Sequence, residues 1–517
     1  MIRARSDTLG IGVGLTLTLL LAAGLRIWGS GYDLPFIFHP DEPFNITVAQ
    51  RIFKTGDLNP HYFNYPSLFF YINALAYGPY LAAGELLGIF RSGADILPPN
   101  SLMQGVTIAP TPSAVLLGRS VTICFGVGSA GLVYLIGRQL REGPWVGLLA
   151  ALMVAISPTM VGLSRFVTSD SQVTFFALSS LLAALLAMKQ GKTRHYVAAG
   201  LFAGLAASSK YNGALILVSL ALAHAFRFGK QALWKRGLYV AAAATAIGFI
   251  ATTPYSILDP SSFMSGLRYE AAHYALGHAG MEGDAAGWYL GLMATTSGGL
   301  YLLAGFGIAN GLWSRRKEVA IVAIFIAVYF AFISSFAVRN DRTFLLAAPF
   351  LFVLASDFAV DLISRLAGGI LLPRFARGAL IAACAGVLVT ALSGSLSNTV
   401  AATRQLTALD SRQTARIWID NYLPPKSRIA IEAYAPYVDP ARFEVLAIGK
   451  MIDFPSEWYL EKGVEYLVYG EGMFGRYFAR PDLYAAEISK YEAQFSRFFL
   501  EKVFEDGGYE VRIYRAR

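Results

Sequence analysis

The sequence predicts a polytopic α-helical membrane protein with about eleven transmembrane helices and a C-terminal extracytoplasmic α/β domain. Three observations predict it. Of 517 residues, 55% are hydrophobic and only 15% charged, with a mean hydropathy of +0.49, which excludes a disordered chain and an ordinary soluble globule. Long apolar runs recur through the first three quarters of the chain. Near residue 398 the composition changes abruptly to interspersed charges.

Apolar stretches near the ~20 residues that cross a bilayer lie at roughly 8–28, 114–137, 145–163, 171–188, 195–209, 213–228, 237–254, 287–313, 319–336, 343–362 and 378–397. The first follows Arg3 and Arg5 and reads either as an uncleaved helix or as a signal peptide ending near Ala22-Ala23-Gly24. Its length and the polytopic chain behind it favour the helix. Cys124 and Cys384 both sit inside apolar runs; they read as small packed residues, and no disulfide framework follows from two such positions.

The stretch Ser67 to Phe90 is also apolar, and the positive-inside rule decides its reading. If it does not cross, Arg3, Arg5, Arg138, Arg141, Lys189, Lys192, Arg194, Arg227, Lys230, Lys235, Arg236, Arg315, Arg316, Lys317, Arg365, Arg374 and Arg377 all fall on one side, the cytoplasm. If it crossed, the N-terminal pair would lie opposite every later basic loop. Residues 67–90 are therefore read as lying along or re-entering the membrane, with Pro66, Gly78, Pro79 and Gly84 as breakers. The external segments are then 29–113, turns near 164–170 and 210–212, the loop 255–286, the turn 337–342, and the domain 398–517, behind a multi-span portion 1–397.

This division accounts for the net charge of +9, which in a soluble protein would raise the question of nucleic acid. The cytoplasmic segments carry +13, the rest of the membrane portion −3 and residues 398–517 −1. The basicity is a topology signal, and no nucleic-acid partner is expected.

Residues 398–517 alternate in pattern. Ala408–Tyr422 reads as a helix, Arg428–Glu432 and Phe443–Ile448 as strands, Pro455–Lys462 as a helix, Glu465–Tyr469 as a strand, Leu483–Lys502 as a helix and Tyr509–Tyr514 as a strand. That order makes a small α/β domain. None of its residues carries a catalytic signature.

Charges at membrane depth are costly, so those on the external face call for a reason. Phe38-His39-Pro40-Asp41-Glu42-Pro43 opens an amphipathic stretch; capping a helix would use one acid, not two plus His39. Ser164-Arg165 and Asp170 flank a short turn, where a structural ion pair is the bland reading. Lys210, in Ser208-Ser209-Lys210-Tyr211-Asn212-Gly213, reads either as a snorkelling cation or as a ligand. Arg339 and Arg342, around Asn340-Asp341, stand on the side that cations avoid. Together the four loops set carboxylates beside cations at one membrane surface, which suits an anionic headgroup, a phosphate above all, and a base acting on its partner.

In that order, the Asp41-Glu42 pair, Asn64-Tyr65-Pro66-Ser67-Leu68, Ser164-Arg165 with Asp170, Ser209-Lys210-Tyr211-Asn212-Gly213 and Arg339-Asn340-Asp341-Arg342 resemble the GT-C glycosyltransferases. The bacterial branch similar to protein O-mannosyltransferases and lipid A aminoarabinose transferases, which depend on a phospholipid carrier, is the nearest. The resemblance spans about residues 30–360 and extends to the C-terminal domain; its specificity lies in the combination, not in one motif. It implies an inverting transferase moving a sugar from a polyprenyl-phosphate donor to a hydroxyl of a protein, lipid or glycan acceptor. The site would face away from the cytoplasm, in a bacterial inner membrane, with the N-terminus cytoplasmic.

Carried over, Asp41 would be the general base with Glu42 beside it. Lys210, Arg339, Arg342 and Arg165 would bind the donor phosphate, and Asp170, His39, Tyr65 and Tyr211 would support them. No cofactor is required on this reading. His273 and His278 leave a divalent metal as an alternative, although their spacing is no zinc pattern. A transporter or lipid flippase is the competing class, but transporters place charges near the midplane and show related halves; neither pattern is found here.

Overall fold

In a computed structural model the protein is described over residues 2–368 and 373–516, with side chains from Gly10 onward. All eleven apolar runs are helical. Among the described residues, seven helices are long and apolar enough to cross a membrane, and Trp145–Ile156 and Arg236–Thr252 are shorter apolar helices. The chain is a multi-pass membrane protein built around one large apolar core.

Small residues let the helices approach. A Cβ at Gly200 or Gly204 would meet the backbone of Ala241 or Thr245, so these two glycines, four apart on helix Thr193–Ser209, set its closeness to helix Arg236–Thr252. Three basic segments assigned to the cytoplasm converge at another place. Arg141 and Arg365 pair with Asp361 at 2.9 and 2.8 Å, Arg141 also with Asp357 at 3.0 Å, and Arg316 joins at Asp357.

Several elements depart from the sequence reading. The run 145–163 is two helices, Trp145–Ile156 and Pro158–Leu163, because Pro158 has no N–H to continue the first and Ser157 caps the second. The run 343–362 begins as the short turn Asp341–Phe344 before helix Ala348–Gly368. Within 67–90, Gly78, Pro79 and Gly84 do not break helix Leu68–Leu86. That helix is not among those apolar enough to cross. Cys124 is exposed and Cys384 half-buried, so neither is packed inside as expected.

The segment 29–113 contributes a three-stranded sheet: β1 (Phe36–Ile37), β2 (Asn100–Met103) and β3 (Val106–Ile108), in the order β1-β3-β2. The last long helix runs from Arg374 to Thr407, past the expected boundary at 398. Beyond helix Ser411–Tyr422, a five-stranded sheet comprises β4 (Arg428–Glu432), β5 (Glu444–Ile448), β6 (Tyr466–Gly470), β7 (Phe499–Phe504) and β8 (Val511–Arg515), in the order β5-β4-β6-β8-β7. Its β4 neighbours are parallel, and the β6/β8 and β7/β8 pairs antiparallel. The expected helix Leu483–Lys502 stops at Arg497, where the Phe498-Phe499-Leu500 run turns to strand. Helix Glu471–Phe478 was not expected.

The two portions share a core. Phe36, Phe38 and Val106 pack with Ala415, Ile419 and Val438. The Tyr434 N–H donates to the Gln104 carbonyl at 3.0 Å, and Gln413 donates to the Asp33 carbonyl at 3.1 Å. The C-terminal domain is thereby seated on the segment that carries Asp41.

Candidate active site

Between the membrane portion and the C-terminal domain lies a cavity of about 1240 Å³. His39, Asp41, Tyr65, His273, His278 and Arg342 all line it.

Asp41 occupies the N-cap position of helix Glu42–Thr55, yet its side chain makes no capping bond. It is turned to Arg342, whose Nη1 donates to Oδ2. The Nε of Arg342 donates to Oδ2 of Asp170 at 3.1 Å, and Lys210 Nζ donates to Oδ1 of Asp170 at 2.7 Å. Four segments far apart in sequence thus join in one alternating row, Asp41, Arg342, Asp170, Lys210.

Local structure favours each placement. Asp170 is the first residue of helix Asp170–Gln190, where the dipole stabilises an anion. Lys210 ends helix Thr193–Ser209, where it stabilises a cation. The Asn340 Oδ1 accepts from the N–H and hydroxyl of Thr343, both at 2.8 Å, and so holds the turn that presents Arg342. The bland readings of Lys210 as snorkelling and of Arg165 as the partner of Asp170 are both displaced.

Exposure grades the row. Asp170 is 1% exposed and Lys210 8%, whereas Arg342 is 18% and Asp41 29%. Burial pushes the Asp41 carboxyl up, but the Arg342 guanidinium and then His39 more than offset it, leaving Asp41 below the usual carboxylate range. Burial and the Arg342 charge hold His39 below the ordinary imidazole range. Its Nδ1 accepts from the Asp41 N–H at 3.2 Å, and its ring lies 4.5 Å from that of Phe166.

Glu42 is differently employed. It is fully buried and paired with Arg119, Nε to Oε1 at 2.9 Å and Nη2 to Oε2 at 2.8 Å, while the Val167 N–H donates to Oε1 at 2.9 Å. Burial raises its carboxyl, and Arg119 lowers it further than that, so it stays ionised. Glu42 does not line the cavity; it staples the first external segment to the turn 164–170. Arg119, inside an apolar helix, was missed by the sequence reading, although a lone Arg in a span is itself a signal.

Other expected residues also stand back. Arg165 is 2% exposed and donates to the Leu25 carbonyl at 2.5 Å and to Thr403 at 2.8 Å, between helices and away from the cavity. Arg339 donates to the Glu282 carbonyl at 2.5 Å and fastens the loop before helix Ala285–Trp313. The Tyr211 hydroxyl donates to the Phe63 carbonyl at 2.7 Å. The rings of His273 and His278 are 6.0 Å apart, and among the described residues no three of His, Cys, Asp and Glu gather to hold a metal ion.

The cavity has walls that sequence reasoning did not find. Helix Pro260–Leu276 supplies Tyr269, Glu270 and Tyr274, and the C-terminal domain supplies Asp410, Arg412, Tyr434, Arg476 and Tyr509. Arg412 pairs with Asp410 at 2.7 Å and lies 3.7 Å over the ring of Phe38, next to His39.

Residues 115–255 match the family described as dolichyl-phosphate-mannose-protein mannosyltransferase. No curated protein sequence matches the chain. Among solved structures, the apo form of ArnT from Cupriavidus metallidurans is similar with a TM-score of 0.56 at 15% identity, over 99% of each chain. ArnT from the same organism bound to undecaprenyl phosphate gives 0.54 at 16%, over 98% of each chain. The oligosaccharyltransferase AglB from Archaeoglobus fulgidus, in complex with an inhibitory peptide and a dolichol-phosphate, gives 0.56 at 14%, over 98% of this chain and 74% of its own. The middle of the chain thus matches the dolichyl-phosphate-mannose-protein mannosyltransferase family, and the chain along its length shares the fold of ArnT and AglB.

Proposed function

We propose that the chain is an inverting glycosyltransferase that moves a sugar from a polyprenyl-phosphate donor to an acceptor hydroxyl at the extracytoplasmic face of a bacterial inner membrane. The observation that carries this reading is the row Asp41, Arg342, Asp170, Lys210: a carboxylate and a guanidinium that line the cavity, backed by the buried Asp170–Lys210 pair. The matched family is named for a lipid-phosphate donor, and two structures of the same fold hold a polyprenyl phosphate.

On this reading Asp41 accepts the proton of the acceptor hydroxyl as its oxygen bonds to C1 of the sugar. The bond from C1 to the phosphate oxygen breaks on the opposite face, so configuration inverts. Base assistance of this kind contributes roughly 10²–10⁴-fold. The leaving polyprenyl phosphate gains negative charge, and Arg342 and Lys210, already oriented by Asp170, stabilise it without reorganisation.

The test is transfer by the full-length protein in vesicles, using labelled polyprenyl-phosphate sugars and membrane extracts as acceptors, with mass spectrometry of the product. Lys210→Ala and Arg342→Ala should each weaken donor use. A protein that consumes no lipid-linked sugar with any extract would overturn the assignment, and unchanged donor affinity in both variants would remove the phosphate contact.

A further inference from the structure

The C-terminal domain places one cation in the cavity that nothing in the row accounts for. Arg476, on helix Glu471–Phe478, is half-buried and lines the same cavity as Asp41. Its Nε donates to the Gly472 carbonyl at 2.7 Å, and its guanidinium lies 4.8 Å over the ring of Tyr434. The other two cavity arginines have carboxylate partners, Arg342 in Asp41 and Asp170, and Arg412 in Asp410. Among the described residues Arg476 has no ion pair. A guanidinium held by the Gly472 carbonyl and by Tyr434, with no carboxylate partner among the described residues, is placed to receive an anion.

The wall around it is built. The loop 277–284 passes close to Arg476, where a Cβ added at Gly280 would meet the Arg476 side chain. That loop is tied to both portions, by Arg339 to the Glu282 carbonyl and by the Tyr484 hydroxyl to the Glu282 carboxylate. The rings of Tyr62, Tyr65, Tyr269, Tyr274, Tyr434 and Tyr509 line the cavity. Flat rings edged with hydroxyls match the C–H faces and hydroxyl rims of sugar rings.

We propose that Arg476 and Tyr434 form an acceptor subsite that takes the carboxylate or phosphate of an acidic glycan, the C-terminal domain reading the acceptor while the membrane portion holds the donor. This rests on the transferase reading above and adds the acceptor class. Arg476 acts as a specificity residue; it moves no proton and touches no leaving group.

The test compares three short oligosaccharides, one bearing a uronic carboxylate, one a phosphate ester and one neutral, with the full-length protein and Arg476→Gln. Direct binding is read by fluorescence titration and transfer from a labelled polyprenyl-phosphate sugar. Loss of one charge-assisted contact predicts that the variant binds acidic oligosaccharides about 10–100-fold more weakly, in Kd and in acceptor KM. The neutral one should bind both proteins alike, and undecaprenyl phosphate should compete with donor equally well in both. Arg476→Lys should recover part of the phosphate arm and less of the carboxylate arm, because Lys lacks the fork. Equal loss for acidic and neutral oligosaccharides, or a parent protein indifferent to acceptor charge, overturns the subsite. Because binding is read without turnover, absence of any transfer strikes the transferase reading alone, and a binding preference unaffected by Arg476→Gln strikes the subsite alone.

Discussion

Asp41 and Glu42 are adjacent carboxylates with opposite employment, and exchanging each for its amide separates chemistry from structure. For Asp41→Asn the lost function is that of a base, worth roughly 10²–10⁴ in turnover, or about 2.7–5.4 kcal/mol of activation free energy. Its ion pair is between side chains 29% and 18% exposed, and such pairs contribute about 0–1 kcal/mol to stability. Asn also keeps an oxygen for Arg342. Turnover should therefore collapse while thermal unfolding stays near that of the parent. For Glu42→Gln the positions are reversed: both members of the Glu42–Arg119 pair are 0% exposed, and breaking a buried pair from one side costs about 3–5 kcal/mol. That variant should unfold earlier and accumulate less, while the molecules that fold retain turnover. The assay is turnover per folded molecule in vesicles beside thermal unfolding in detergent. An Asp41→Asn protein that still transfers at the parental rate, or a Glu42→Gln protein that is stable but inactive, would refute the division of labour.

The pH profile offers a second measure. Asp41 sits below the usual carboxylate range in the free protein, so the acid limb of kcat/KM should lie below that of an ordinary carboxylate; in Arg342→Gln burial is no longer opposed by that charge and the acid limb should move upward, an unmoved limb counting against Asp41 as the base. In the C-terminal domain, burial raises the Glu432 carboxyl from 4.5 to about 7, so the unfolded chain loses this proton before the folded one does. Stability should fall by about 3 kcal/mol as pH rises from 4.5 to 7 and then level off; hydrogen exchange in β4 and β6 reads it, and Glu432→Gln should flatten the slope. Finally, reporters fused after Arg194 and after Asp284 should land on opposite sides of the membrane, and finding them together would break the charge-based topology.

What was legible in the sequence, and what was not, follows from the range of the forces involved. Apolar runs report burial residue by residue, so all eleven surfaced as helices. Asp170, Lys210 and Arg342 were legible because each is a charge at an end of an apolar run, where it demands a partner, and Asp41 because it belongs to an acid pair that helix capping alone does not need. The partners were not legible. Arg165 and Arg339 have the same local signature as Lys210 and Arg342, yet one is spent on Leu25 and Thr403 and the other on the Glu282 carbonyl. Only the packing of segments 40 to 301 residues apart decides which cation meets which anion. Glu42 illustrates the same limit, since its partner Arg119 is 77 positions away. Pro79 misled because a proline counts as a breaker only where the freed carbonyl has no other support, and helix Leu68–Leu86 carries it without interruption. Arg476 was invisible as a site residue because nothing local marks one Arg among many in a soluble domain; its position at the cavity depends on how that domain is seated on Phe36, Phe38 and Val106.

On the charge-based topology, the row itself explains how cations are tolerated on the side that the positive-inside rule depletes. Asp41 and Asp170 against Arg342 and Lys210 sum to zero, so the site without donor carries no net charge at membrane depth. On the proposed reaction the donor phosphodiester brings one negative charge. During transfer Asp41 becomes neutral as it takes the proton, and the phosphate passes from one negative charge to two. The total is unchanged; one unit of negative charge moves from Asp41 to the phosphate past Arg342, which contacts the first at the start and the second at the end. A fixed guanidinium between the two stations lowers the energy of both and of every point between them, and neither ion nor water need enter to balance the step. Asp170 is then more than a counter-ion: buried and bonded to both cations, it keeps them from following the charge. Asp170→Asn should therefore leave Asp41 in place yet impair the use of donor, because Lys210 would lose the ion pair that orients it.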